Sequence, residues 1–78
     1  MVTVKWRLYE WDMDFGDLLY TEEYDNEEEA LRALEDYIVK ASMRGWDCYY
    51  DGSGRYLCTK CVEEEGFCYN RELGVEKV

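Results

Sequence analysis

The residues of this chain that could do chemistry are four cysteines and a long run of carboxylates. Cys48, Cys58, Cys61 and Cys68 all lie in the C-terminal half, and Cys58-Thr59-Lys60-Cys61 forms a CxxC. Thiolates ligate metals, attack electrophiles and pair as disulfides, so the spacing has to decide among these. Together the four could hold zinc as a Cys₄ site. Zinc ribbons, however, carry two CxxC knuckles, each with a Gly or Pro that turns the backbone around the ion. Here there is one CxxC, with neither residue inside or beside it. A redox CxxC works at a helix N-terminus, where the macrodipole lowers a thiol pKa. This one sits in an alternating strand pattern.

Hairpin register supplies a competing account. With Gly52-Ser53-Gly54 as a three-residue loop, Asp51 faces Arg55 and Cys48 faces Cys58. With Glu63 to Gly66 as a four-residue loop, Val62 faces Phe67 and Cys61 faces Cys68. Opposed residues have Cβ atoms about 4.5–5.5 Å apart, close to disulfide reach. Cys58 and Cys61 differ by an odd number, so a regular strand points them to opposite faces. Two cross-strand pairs, Cys48–Cys58 and Cys61–Cys68, are therefore favoured over a metal. Disulfides, reduced buried neighbours and zinc remain the three states for these thiols, and no cofactor is expected apart from zinc.

The carboxylates are distributed unevenly. Between Arg7 and Arg32 there is no Lys or Arg, and that gap holds ten acids: Glu10, Asp12, Asp14, Asp17, Glu22, Glu23, Asp25, Glu27, Glu28 and Glu29. The net charge is −10, so the rest of the chain is neutral. A one-signed field destabilises the fold by self-repulsion. It also steers a protein toward a basic surface. Carboxylates two residues apart on a strand are ~6.6 Å apart, on the scale of phosphate spacing along a nucleic-acid strand. Glu10, Asp12, Asp14, Asp17, Glu22, Glu23, Glu27 and Glu28 are the candidate partner contacts, with Trp11, Phe15 and Tyr20 as aromatic anchors. The competing reading is a solvated acidic face that only keeps the protein soluble. Asp12, Asp14 and Glu23 also fit positions 1, 3 and 12 of a calcium loop. Gly16 and Asp17 then stand at positions 5 and 6, which call for a ligand and a Gly, and the flanks read as strands.

Several function classes recede. The chain has no His, which removes the commonest general base and metal ligand. An enzyme is not expected. Direct binding to nucleic acid or anionic membrane is opposed by the charge. No apolar run approaches the ~20 residues of a membrane span, and the N-terminal residues lack the apolar stretch of a signal peptide. Cytoplasmic residence follows as the default. The scarcity of amides suits a thermophile.

These groups must be placed by a single domain of 78 residues, 47% hydrophobic and 17% aromatic. Val2, Val4, Trp6 and Leu8 alternate with polar residues as a half-buried strand. Asp12 to Asp17 is a turn. Leu18, Tyr20, Glu22 and Tyr24 share one parity of a second strand. Asp25 or Asn26 caps a helix whose stripe is Leu31, Leu34, Tyr37, Ile38 and Ala41, stopped by Gly45. Trp46 to Asp51, Tyr56 to Val62 and Phe67 to Leu73 give three more strands. The expected fold is α+β: an antiparallel sheet of four to five strands in the order β-β-α-β-β-β, with one helix on one face. Trp6 and Trp46 take inward parity. Trp11, past the alternation, is expected to be exposed.

In size, charge and compactness the chain resembles small acidic inhibitors made by phages or archaeal viruses, including anti-CRISPR and DNA-mimic proteins. No motif carries that likeness; it is the Glu10–Glu29 face that leads to the expected function, a binding protein that occludes a basic, nucleic-acid-binding surface of another protein, in the host cytoplasm if the source is viral. The alternative is a small Cys-rich module, held by zinc or disulfides, within a larger assembly. An open sheet edge would also allow a homodimer.

Overall fold

A computed structural model of the chain describes residues 4–78. Val2 and Thr3, the expected start of the first strand, lie outside the described residues. The elements are β1 (Trp6–Asp12), β2 (Asp17–Tyr24), α1 (Glu27–Met43), β3 (Asp47–Tyr50), β4 (Arg55–Val62) and β5 (Phe67–Lys77). The five strands form one antiparallel sheet in the order β2-β1-β5-β4-β3, and α1 packs on one face. The expected α+β architecture is what is found.

The helix begins where its cap dictates. Asn26 is extended (φ −144°, ψ 163°), and its Oδ1 accepts from the Glu29 backbone N–H at 2.9 Å. Glu27, Glu28 and Glu29 then sit against the positive end of the macrodipole. At the far end Gly45 has φ +94°, the left-handed region that ends the helix without a Cβ penalty. Ala30 and Leu34 are buried. Leu34 meets Leu8, Cys58 and Leu73, ringed by Tyr24, Tyr37, Ile38, Trp46, Tyr56 and Val75. Leu31, expected in this stripe, is instead 42% exposed. The buried stripe starts one position earlier, at Ala30, and runs on through Leu34.

Two further expectations need correction. The fifth strand does not stop at Leu73 but continues to Lys77 and forms the centre of the sheet. Its first part pairs with β4, and Arg71 to Lys77 pair with β1. Gly74 sits inside it because the Tyr9 ring lies directly over that position. A Cβ built there would be 2.8 Å from the Tyr9 hydroxyl. Second, the alternation of β2 is broken. Glu10 pairs with Tyr20 but Trp11 with Leu18, so the register slips at Leu19. Tyr20, Glu22 and Tyr24 therefore face the helix side, while Leu18 joins Trp11 on the uncovered face.

Candidate functional site

The acidic segment divides into acids bonded to other parts of the fold and acids left along one margin. The β1–β2 turn brings Asp12 back under its own backbone. Asp12 Oδ1 accepts from the N–H of Asp14 at 2.9 Å and of Phe15 at 3.4 Å, and from Arg71 Nη1 at 3.3 Å. Only 7% of Asp12 is exposed. Glu10, two residues earlier on the same face, accepts from the Tyr37 hydroxyl and lies 3.7 Å from Arg71 Nε. The Arg71 guanidinium thus bridges two carboxylates, and it lies 5.3 Å from the Trp46 ring and 5.6 Å from the Tyr69 ring. Asp14 reaches across to β5, where it accepts from the Asn70 backbone N–H at 2.9 Å and its Nδ2 at 3.1 Å. The side-chain and backbone hydrogen bonds from Asn70 hold the Asp14 carboxyl below its ordinary pKa. These three acids clasp the first hairpin to the central strand and to α1.

Asp17, Glu22, Glu23, Asp25, Glu27, Glu28 and Glu29 are exposed. They follow the edge strand β2 into the first turn of α1, a margin without Lys or Arg until Arg32. Arg32 pairs with Glu28 at 2.8 Å in an exposed i,i+4 bridge, an arrangement that stabilises little. Glu22 and Glu23 point to opposite faces, so the margin is acidic on both sides of the sheet. It is not a single-faced ladder of carboxylates. Glu23 pairs with Arg7, five residues along β1 from Asp12 and so ~16 Å away. Asp12, Asp14 and Glu23 do not meet, which removes the calcium-loop reading.

The aromatic candidates separate likewise. Trp11 is 37% exposed on the uncovered face beside Leu18, and Phe15 is 76% exposed at the turn tip. Tyr20 stacks on Tyr37 with centroids 5.6 Å apart. Trp46 packs against the core and Trp6 is half-buried.

The cysteines pair as their hairpin registers require. Cys48 bonds Cys58 and Cys61 bonds Cys68, with Cα separations of 4.1 and 3.9 Å. Cys58 is buried against Leu8, Leu34 and Leu73 on the helix side. Cys61 and Cys68 are exposed on the other face. The sheet lies between the two pairs, so the four sulfurs do not converge on one ion.

A cleft of about 400 Å³ opens between α1 and the sheet, lined by Leu8, Leu73, Tyr37, Trp46, Glu10 and Arg71 among others. Burial and the hydrogen bond to Glu10 push the Tyr37 phenol well up, and burial and Glu72 do the same for Tyr9 on the opposite face. Both therefore stay protonated at neutral pH. They serve as hydrogen-bond donors rather than bases.

Sequence reasoning missed Arg71 and Asn70, the groups that hold Glu10, Asp12 and Asp14 to the central strand. One signal was present. Arg71 is the only base between Lys60 and Lys77, and it shares the inward parity of Leu73 and Val75. A base on a core-facing row calls for carboxylate partners. The chain matches no protein-family model, no curated protein and no solved structure.

Proposed function

We propose that this protein is a non-catalytic, disulfide-stapled binding module whose β2–α1 margin engages a basic protein surface and occludes it. The observation that carries the reading is the charge left over after internal pairing. Glu10, Asp12 and Asp14 are committed to Arg71, Tyr37 and Asn70, yet seven exposed acids lie along one margin, and of these only Glu28 is bridged to a base, Arg32, among the described residues. Such a field raises association rates with a surface of opposite sign and fixes orientation. Proteins that bind nucleic acid carry such surfaces, so a nuclease or CRISPR effector is the class of target. Trp11 and Phe15, exposed beside the acids, supply apolar contacts at the rim of the same margin.

The two disulfides favour a second reading, a Cys-rich module held within a larger assembly. They also bear on location. Disulfides persist in oxidising compartments or in hyperthermophile cytosol, so a cytoplasmic site for this protein is proposed together with a thermophilic source.

The test is capture from a lysate of the source cell, or of its host, at about 0.1 M and about 1 M salt, where the screening length falls from about 10 to about 3 Å. The wild-type protein is compared with a variant carrying Asp17→Asn, Glu22→Gln, Glu23→Gln and Glu27→Gln. Binding through the margin predicts basic partners lost both at high salt and in the variant. A partner held equally by the variant refutes it. Binding lost on reduction but kept by the variant establishes the assembly module instead.

A further inference from the structure

The two edges of the sheet are unlike. β3 is four residues long and runs straight into a turn, so it offers little to pair with. β2 has eight residues, seven of them exposed, and among the described residues it pairs with β1 alone. The N–H and C=O groups of its alternate residues face outward. Natural chains blunt such an edge with charges, Pro, bulges or shortness; β2 has no Pro and full length, and its charges are carboxylates alone. Its bulge lies at one end, at Leu19, and leaves Tyr20 to Tyr24 regular.

From this edge, and resting on the acidic-margin reading above, we infer that the partner is engaged by strand addition. An extended basic segment of another protein pairs along Tyr20–Tyr24 and extends the sheet. Main-chain hydrogen bonds supply the attachment and side chains the selectivity. Residues of an added strand lie about 4.5–5.5 Å from those opposite them. Glu22 projects to the helix side and Glu23 to the uncovered face, so cations at consecutive positions of the segment meet a carboxylate on each face. Tyr20 and the exposed Leu18 and Leu19 receive apolar residues next to those cations. The segment is therefore a Lys/Arg-rich run with interspersed apolar residues. A second copy of this chain is the wrong occupant, since it would bring another seven acids against the same margin. The acids thus act twice. They prevent self-pairing at an otherwise open edge, and they select a strand of opposite charge.

The experiment titrates the ¹⁵N-labelled protein with three probes. One is an extended peptide of repeated Val-Lys-Lys-Val units, whose consecutive Lys residues fall on opposite faces of a strand. The second is the same peptide N-methylated on alternate residues, which keeps its charge but blocks ladder hydrogen bonds. The third is oligolysine of equal charge. Strand addition predicts that the first peptide shifts the amides of Leu19–Tyr24 and slows exchange of the outward-facing ones at least tenfold. It also predicts binding about tenfold or more weaker for the N-methylated peptide. Equal binding of all three, with shifts spread over the acids, overturns strand addition and leaves the acidic margin standing. Binding of oligolysine alone has the same meaning. No binding by any probe overturns both. Sedimentation showing a dimer that Glu22→Lys abolishes or strengthens would make a second copy the occupant and overturn the inference.

Discussion

Arg71 gives the sharpest test of how the acids are held. Its side chain is 16% exposed, with Asp12 at 3.3 Å and Glu10 at 3.7 Å, themselves 10% and 20% exposed. At an effective dielectric of ~20 the two attractions sum to about 9.5 kcal/mol. Desolvation of three charged groups offsets most of that. What a substitution reads is the cost of leaving two carboxylates without their cation. Breaking a buried pair costs about 3–5 kcal/mol, and partial exposure places Arg71→Met near the lower end, at about 3 kcal/mol. For a domain of this size that lowers Tm by about 12–24 °C. The assay is urea denaturation followed by Trp fluorescence, backed by calorimetry. A triple variant with Arg71→Met, Glu10→Gln and Asp12→Asn removes the uncompensated charge. The amide oxygen that replaces the Asp12 carboxylate still accepts from the turn N–H groups. This variant should lie within about 1 kcal/mol of wild type, as replaced buried networks commonly do. A single-variant loss under about 0.5 kcal/mol, the range of ordinary surface changes, would refute the reasoning, as would a triple variant no more stable than the single one.

Other outcomes follow from particular contacts. Gly74→Ala should destabilise by about 1–3 kcal/mol, because its Cβ meets the Tyr9 ring, with 2.8 Å to the hydroxyl and 3.0 Å to two ring carbons. The same change with Tyr9→Leu should recover most of the loss in chemical denaturation. A stabilising Gly74→Ala, the usual sign in a strand interior, would remove the ring from that position. Cys61–Cys68 is exposed and Cys48–Cys58 has a buried member, so graded reductant with alkylation and mass analysis should open Cys61–Cys68 first. Loop closure gives each bond about 2.5–3 kcal/mol, readable by urea denaturation of each Cys-to-Ser pair. The alkaline limb should be set by Tyr9 and Tyr37. Their folded pKa values are raised, so the unfolded chain releases these protons first. Stability is then full below about pH 10 and falls above it, which a thermal-melt series from pH 8 to 12 would show.

Much of the fold was legible in the sequence. Turn lengths are local properties, and Gly52-Ser53-Gly54 and Glu63 to Gly66 each set the register of the hairpin they close. Cys48 therefore meets Cys58 and Cys61 meets Cys68, as the spacing implied. The helix was legible because Asn26, the three following glutamates and Gly45 mark its ends independently of what it packs on. The charge asymmetry needed only counting.

Other features were decided by tertiary structure. The pairing of Arg71–Lys77 with β1 joins residues some sixty positions apart, and no turn between them sets its register. It follows from the shared need of Leu8, Leu73 and Val75 to lie under α1. That pairing puts Arg71 opposite Asp12 and Asn70 within reach of Asp14. It thereby draws Glu10 and Asp12 inward and ties the exposed Asp14 to β5. The slip at Leu19 sends Leu18 to one face and Tyr20 to the other, against simple alternation. The sequence alone determined how many carboxylates there are and along which stretch. Only the long-range register, chosen by burial of a few apolar side chains, decided which of them are bonded to other parts of the fold.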